Sequence, residues 1–364
     1  MSPHRPIIAQ VLIAPDKADQ LSLKDWDLVV QQGYSVDLLA RLAILLDQNG
    51  IKAPERVQAH LDSAKMRANA HAEDVLIEIK AINHALAPAN IRPVYLKGAA
   101  YIVAEDKASA GRFFSDVDIY IPKQQLDSAE KFLQWQGWKP EELDEYDEHY
   151  YREWMHEIPA LIHQERGTAI DVHHNLLPLI GRIRLDSRLL QDSLKNDQQT
   201  LNPEDRLIHS ATHLFCSGEF ESAFRDLSDL DLMIREFGQQ GEQFWNKLSD
   251  RTEQMGLGRL LFYAVRYCQQ FFESPVPKST TAQLQQYSPN RWALSWMDWL
   301  FFRVLVPHHS SCQPRFSSTA CTLLLIRSHW LRMPIKTLIP HLFRKGVLNP
   351  IRNREKNLET VDGA

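Results

Sequence analysis

Residues 111–121 have the sequence GRFFSDVDIYI, in which two aspartates alternate with apolar residues. This alternation is typical of a short β-strand, because successive side chains of a strand point to opposite faces. Asp116 and Asp118 therefore share one face, and the apolar residues between and after them share the other. Two carboxylates held this close repel each other unless a cation lies between them, and a hard divalent ion with oxygen ligands fits that position. The pattern predicts a metal site, and the alternative is a surface strand whose aspartates face water.

A third acid, Asp171, lies between Ile170 and Val172 and therefore points away from the apolar face of a later predicted strand. If this strand lies beside the first one, Asp171 completes the site that Asp116 and Asp118 begin. His173 shares the face of Asp171, either as a functional group or as a half-buried histidine with its hydrogen bonds satisfied.

The composition is that of a globular protein of 364 residues, long enough for two or three structural units. The hydrophobic fraction of 44% and the charged fraction of 24% are ordinary for such proteins. A formal net charge of −5 argues against a protein that coats nucleic acid indiscriminately, so the charge does not indicate a nucleic-acid partner. The four cysteines form no C-x-x-C pair, which favours reduced thiols over disulfides or a zinc site.

We expect a cytoplasmic protein without an integral membrane segment. The apolar run at residues 6–14 is interrupted by Gln10 and has no clean cleavage site, so it is not interpreted as a signal peptide. The apolar stretches at residues 292–306 and 321–330 are too short to span a bilayer. Both are expected to be buried helices, and the tryptophans of the first are expected to lie in the core.

Helical periodicity dominates both flanks of the chain. It predicts an N-terminal helical region over residues 1–89, which a breaker cluster at residues 88–90 ends. Residues 90–190 carry the strands, and residues 191–364 are predicted to form a C-terminal helical domain with a basic tail. Such a tail contacts nucleic acid or an anionic membrane, or it is a solvated helix that offsets the acidic segment 141–148.

Strands alternate with helices in the middle of the chain. A first predicted strand, residues 91–96, runs into Lys97 and Gly98, where small residues open a helix. Backbone N–H groups at such a helix start can seat a phosphate, and the alternative is a plain strand-to-helix turn. A helix is predicted over residues 124–136, and further strands over residues 150–155, 160–164 and 168–173.

Two side-chain pairs in the C-terminal half have both a structural and a functional interpretation. His209 and His213 lie one turn apart on a helix that begins at Pro203, and they either bind a metal or pack inside the protein. Arg225 and Asp229 form either an ion pair on a helix surface or a contact to nucleotide from a helix that closes over it.

In their order, these motifs resemble the nucleotidyltransferase superfamily typified by DNA polymerase beta. The shared order is strand-Lys-Gly-helix, then SDVDI on a strand, then a helix ending in Gly-Trp, then IDVH on a later strand. More narrowly, LKGAA, FSDVDI, AIDVHH and the two pairs above resemble a bacterial family of largely uncharacterised nucleotidyltransferases. The resemblance implies an α/β (α+β) fold with a polymerase-beta-like core and a small mixed sheet, flanked by N- and C-terminal helical regions.

The same resemblance implies transfer of a nucleoside monophosphate from an NTP such as ATP to a hydroxyl acceptor, with release of pyrophosphate. Asp116, Asp118 and Asp171 match the catalytic carboxylates of the family and would hold two Mg²⁺ ions. The acceptor class stays open between a small molecule, RNA and a protein, because fold does not determine substrate.

The resemblance also implies contacts to the NTP phosphates. Gly98 would let the backbone approach them, and Lys97 or Arg112 would contact them by charge. The chain departs from the superfamily at Ala99, where serine or glycine is usual, and Ser115 is the candidate to supply the missing hydroxyl.

Two other functions stay open at this level. One is a catalytically silent protein of the same fold that binds a nucleotide or a partner, as in a regulatory or toxin–antitoxin pair. The other is a nucleic-acid binder that uses the basic tail, with carboxylates that are only structural.

Overall fold

A computed structural model describes residues 5–141, 143–191, 194 and 198–344. Its helices are α1 (Ile7–Ile13), α2 (Leu23–Tyr34), α3 (Leu39–Gln48), α4 (Glu55–Leu86), α5 (Lys97–Val103), α6 (Leu126–Trp135), α7 (Glu145–His149), α8 (Arg188–Gln191), α9 (Pro203–Cys216), α10 (Ala223–Phe237), α11 (Glu242–Met255), α12 (Gly258–Phe272), α13 (Lys278–Leu284), α14 (Arg291–Val304), α15 (Ser317–Arg332) and α16 (Ile335–Phe343). Its strands are β1 (Val94–Tyr95), β2 (Asp116–Tyr120), β3 (Trp138–Pro140), β4 (Leu161–His163) and β5 (Ala169–His173). The predicted class, α/β with a small mixed sheet, is confirmed.

The five strands form one mixed sheet in the order β1-β2-β5-β4-β3. The two central strands, β2 and β5, run parallel, and the other neighbours pair antiparallel. The apolar side chains of the central strands, such as Ile119 and Ile170, are fully buried. The alternation predicted from the sequence therefore places one face of these strands in the core and leaves the other face for polar residues.

Helix α4 joins the two parts of the hydrophobic core. Its 32 residues span about 48 Å, and its first half packs with α2 and α3 in one buried cluster. Its second half contacts the sheet, where Tyr95 Oη donates to the backbone oxygen of Ile79 at 3.0 Å and Thr168 Oγ1 donates to Glu78 at 2.7 Å. The second cluster continues from the sheet into α9, α10, α12 and α14.

A buried ion network fastens the loop before β2 to both helical flanks. Arg41 of α3 and Arg112 each lie within 2.8 Å of one oxygen of Asp229 on α10, and Asp229 is 1% exposed. Gly111 makes this approach feasible because a Cβ on it would lie 2.4 Å from the backbone nitrogen of Arg41, and its φ is +67°. The network therefore holds the loop that leads into the aspartate strand.

Two sequence expectations were wrong. Residues 150–155 are not a strand, because Asp144 caps α7 by accepting from the N–H groups of Tyr146 and Asp147, and the chain continues as a π-helical turn over Tyr150–Trp154. The two apolar stretches at residues 292–306 and 321–330 are helical but not fully buried, since Trp292 and Trp296 of α14 are 89% and 50% exposed and Ile326 of α15 is 59% exposed. In both segments the expectation depended on aromatic and apolar content. The cap on α7 favours a helical turn over a strand, and the exposed tryptophans lie on a helix face that the core does not cover.

The end of the described chain contacts the acidic segment. Arg344 lies 3.2 Å from Asp144 and over the ring of Tyr146, which agrees with the interpretation that basic residues offset that segment. The rest of the predicted basic tail, from residue 345 onward, lies outside the described residues. None of the helices within the described ranges is both long and apolar enough to cross a membrane. All four cysteines are free thiols.

Candidate active site

The register of β2 and β5 brings the three predicted carboxylates together. Asp118 is paired directly with Asp171, and Asp116 is paired with Ala169 on the same face. Each of the three carboxylates offers an oxygen, and these oxygens all lie within 4.8 Å of one another. The sequence prediction that Asp171 lies beside the pair on β2 is therefore confirmed in its geometry.

Asp118 lies at the centre of the site and is 4% exposed. Its Oδ1 accepts from Lys97 Nζ at 2.6 Å and from His173 Nε2 at 2.8 Å. Burial on its own raises the pKa of this carboxyl, but the adjacent Lys97 and His173 outweigh burial and hold the pKa well below its usual range. Asp118 is thus a permanent anion whose Oδ1 is already occupied by two donors.

Asp171 has the opposite electrostatic environment. Burial first, and then repulsion from Asp118, Asp116 and Glu157, raise its pKa to about 7. Among the described residues Asp171 forms no ion pair, and the opposing effect of His173 is smaller than the repulsion. Such a group is stabilised by any cation that comes between it and its acidic neighbours.

The triad faces an open cleft of about 1180 Å³. Its lining includes Ser210 of α9, Arg225 and Asp226 of α10, and Arg332 at the end of α15. Ligand pockets in proteins measure roughly 300–1,000 Å³, so the cleft has room for a nucleotide together with a second molecule.

The four residues predicted to contact phosphates all line this cleft. Lys97 adopts φ +45°, a left-handed conformation that costs a non-glycine residue about 1 kcal/mol, and in it the side chain reaches Asp118. Ser115 Oγ donates to Asp116 Oδ1 at 2.7 Å. Gly98 makes room for a ring, because a Cβ there would lie 2.5 Å from Phe114. Arg112 is buried, and its guanidinium pairs with Asp226 and with Asp229 of the buried network. Their roles toward phosphate stay predictions.

The histidine and arginine pairs of the C-terminal half are placed differently from each other. His209 is buried, and His213 lines the cleft. Neither belongs to the groups of converging ligand atoms found among the described residues. Arg225 contacts Asp37 and Asp226, whereas Asp229 pairs with the two arginines of the buried network. Both residues line the cleft, and Asp229 is the member of the pair whose two oxygens are taken up by buried arginines.

Sequence reasoning missed two residues of the site, His156 and Glu157. Both line the cleft, and Glu157 Oε2 lies 3.4 Å from His173 Nδ1. They follow the turn that was mistaken for a strand, so their position next to β5 was not visible. The one available signal was an adjacent His-Glu pair between two strand-like segments.

A mixed sheet whose adjacent parallel strands bring three carboxylates together at a cleft agrees with the arrangement that the resemblance to nucleotidyltransferases implies. The family model described as uncharacterised nucleotidyltransferase matches residues 22–273. The chain belongs to that family. Comparison with curated proteins finds no match, and comparison with solved structures finds none.

Proposed function

We propose that the protein transfers a nucleoside monophosphate from an NTP, with ATP as the first candidate, to a hydroxyl acceptor and releases pyrophosphate. The observation that carries the proposal is the convergence of Asp116, Asp118 and Asp171 within 4.8 Å at the floor of a nucleotide-sized cleft. Family membership supplies the reaction class.

The donor set fits magnesium. All three side chains are carboxylates, and Mg²⁺ prefers hard oxygen ligands. Burial and then repulsion from Asp118, Asp116 and Glu157 raise the pKa of Asp171, and a divalent cation would offset that repulsion. Asp116, Asp118 and Asp171 would hold two ions, which when bound neutralise charge on the attacking and leaving oxygens of an in-line displacement.

The protein's own side chains then have distinct tasks. We expect Asp171 to help take the proton of the acceptor hydroxyl, because burial and its acidic neighbours raise the pKa of its carboxyl. Lys97 brings a positive charge next to the triad and can donate to a phosphate oxygen. Arg332 lines the cleft and, within the described part of the chain, makes no ion pair, so its guanidinium is available to a phosphate.

The proposal is tested with purified protein, each α-labelled NTP and a cell extract as the acceptor source. We expect one NTP to label one fraction of the extract and to release pyrophosphate only when a divalent metal is present. Asp116→Asn should abolish both signals, whereas the matched control Glu165→Gln, an exposed acid in the turn before β5, should keep them. Pyrophosphate release that persists in EDTA, or in Asp116→Asn, would contradict the proposal.

A second candidate is a protein of the same fold that binds nucleotide without turnover. The observation that favours it is the state of Asp118, whose Oδ1 already accepts from Lys97 and His173. This candidate predicts NTP binding that is saturable by calorimetry, with no pyrophosphate released in any extract. Labelled product would exclude it.

A further inference from the structure

A second cluster of metal-binding side chains adjoins the aspartate triad. His156, Glu157 and His173 each offer one ligand atom, and these atoms all lie within 4.8 Å of one another. The backbone fixes their arrangement, because the segment at residues 156–158 runs antiparallel to the end of β5. Ile158 N donates to Val172 O at 3.1 Å, and His174 N donates to His156 O at 2.8 Å.

We propose that His156, Glu157 and His173 bind one divalent cation of borderline character, with Zn²⁺ as the first candidate, at a site separate from the carboxylate triad. Two imidazole nitrogens with one carboxylate oxygen are a frequent donor set for such ions. Magnesium prefers oxygen ligands, so the two sites differ in the ion that they favour.

The spacing of the side chains is close to that of a ligated ion. His173 Nδ1 lies 3.4 Å from Glu157 Oε2, and His156 Nε2 lies 3.8 Å from the same oxygen. Bonds of about 2.1 Å in a tetrahedral zinc site separate neighbouring ligand atoms by about 3.4 Å. Only small side-chain movements are therefore needed to close the cluster around an ion.

The orientation of His173 also favours ligation. Its Nε2 lies 2.8 Å from Asp118 Oδ1, and an ionised carboxylate can only accept, so Nε2 carries the proton. Nδ1 then faces Glu157. A ligating histidine that donates its other N–H to a carboxylate is the usual outer arrangement of protein zinc sites.

Two ring nitrogens of the cluster lack hydrogen bonds. The Nδ1 atoms of His156 and His173 are buried, and neither makes a hydrogen bond within the described residues. A buried polar atom left without a partner destabilises the folded protein. Coordination by His173 Nδ1 would remove one such cost, with any proton on that atom released to solvent. The bound ion would also hold His173 and, through it, the orientation of Asp118.

The test uses the full chain, Zn²⁺ in a competition titration against a chromophoric chelator, and Co²⁺ as a spectroscopic probe. Both are measured without NTP and in excess Mg²⁺, so the result does not depend on the proposed function. We expect one equivalent of Zn²⁺ and visible Co²⁺ bands. His156→Gln and Glu157→Gln should each weaken Zn²⁺ binding by at least about 10-fold.

Two controls separate this site from its neighbours. Asp116→Asn removes a triad ligand, and His149→Gln removes an exposed histidine nearby; both should keep the Zn²⁺ affinity. Equal affinity in wild type and His156→Gln would overturn the proposal, and so would a loss in Asp116→Asn as large as in His156→Gln. Should the cluster variants fail to fold, zinc-edge anomalous scattering from wild-type crystals decides. A peak between His156, Glu157 and His173 supports the site, and a peak confined to the aspartates, or no peak, refutes it.

Discussion

Replacing Asp171 by asparagine should stabilise the metal-free protein while making its stability insensitive to magnesium. The side chain keeps its shape but loses the charge that Asp116, Asp118 and Glu157 repel. The pKa of this carboxyl rises from 3.8 to about 7 on folding. The folded state therefore binds the proton more tightly than the unfolded state, and the metal-free protein loses stability as the pH rises from about 4 to about 7.

The magnitude follows from that shift. A rise from 3.8 to about 7 corresponds to about 4 kcal/mol at pH 8, at 1.36 kcal/mol per pKa unit. The unfolding entropy of 364 residues is about 0.8 kcal/mol per degree, so Asp171→Asn should raise the Tm by up to about 5 °C in EDTA. Magnesium should raise the Tm of the wild type and leave that of the variant almost unchanged.

Thermal melts of both proteins at pH 8, in EDTA and in Mg²⁺, measure this directly. Glu165→Gln is the matched control, because it removes one exposed carboxylate from the turn that precedes β5 and should change neither Tm. A variant that melts below the wild type in EDTA would show that the three carboxylates do not repel one another. A wild type with no magnesium response would show that they do not share a cation.

Three further outcomes are expected. Magnesium affinity of the wild type should rise about tenfold from pH 6 to pH 8, as Asp171 loses its proton, and a flat calorimetric profile would contradict this assignment. Gly111→Ala should lower the free energy of unfolding in urea by about 2–4 kcal/mol, because the added Cβ would meet the backbone of Arg41. Gly167→Ala, at a similar positive φ but with open space around it, should lower it by about 1 kcal/mol. Equal losses in the two variants would refute the close approach of Gly111 to Arg41. Asp229→Asn should lower the free energy of unfolding by about 3–5 kcal/mol, because it removes the charge that two buried guanidinium groups share. A loss below 1 kcal/mol would show that Asp226, beside Arg112, and the Ala108 carbonyl, beside Arg41, compensate them without it.

The sheet and the triad were predictable because both depend on the period of two. In SDVDI and AIDVH the apolar residues alternate with acids, so each strand displays its carboxylates on a known face. Predicting the triad required one further assumption, that the two strands are neighbours in the sheet. The structure confirms it, because β2 and β5 pair in parallel with Asp118 opposite Asp171. The long helix α4 was predictable for a similar reason, since its apolar residues recur at helical spacing.

The contacts that surround the triad were not predictable, because they join residues far apart in the chain. Arg41 and Asp229 are 188 residues apart, and no local pattern in either segment indicates the other. Arg225 and Asp229 have the spacing of a helical ion pair, yet each pairs with a residue of another segment. Arg225 pairs with Asp37, and Asp229 pairs with Arg41. His156 and Glu157 reach the site only because a π-helical turn replaces the strand that aromatic residues suggested.

The central claim concerns a cation held by three carboxylates next to a nucleotide, and crystals grown with Mn²⁺ and a non-hydrolysable NTP analogue test it most directly. We predict an anomalous manganese signal bounded by the oxygens of residues 116, 118 and 171, with the triphosphate in the same cleft. Manganese absent from these oxygens while the analogue occupies the cleft, or an analogue bound elsewhere on the protein, would contradict the account.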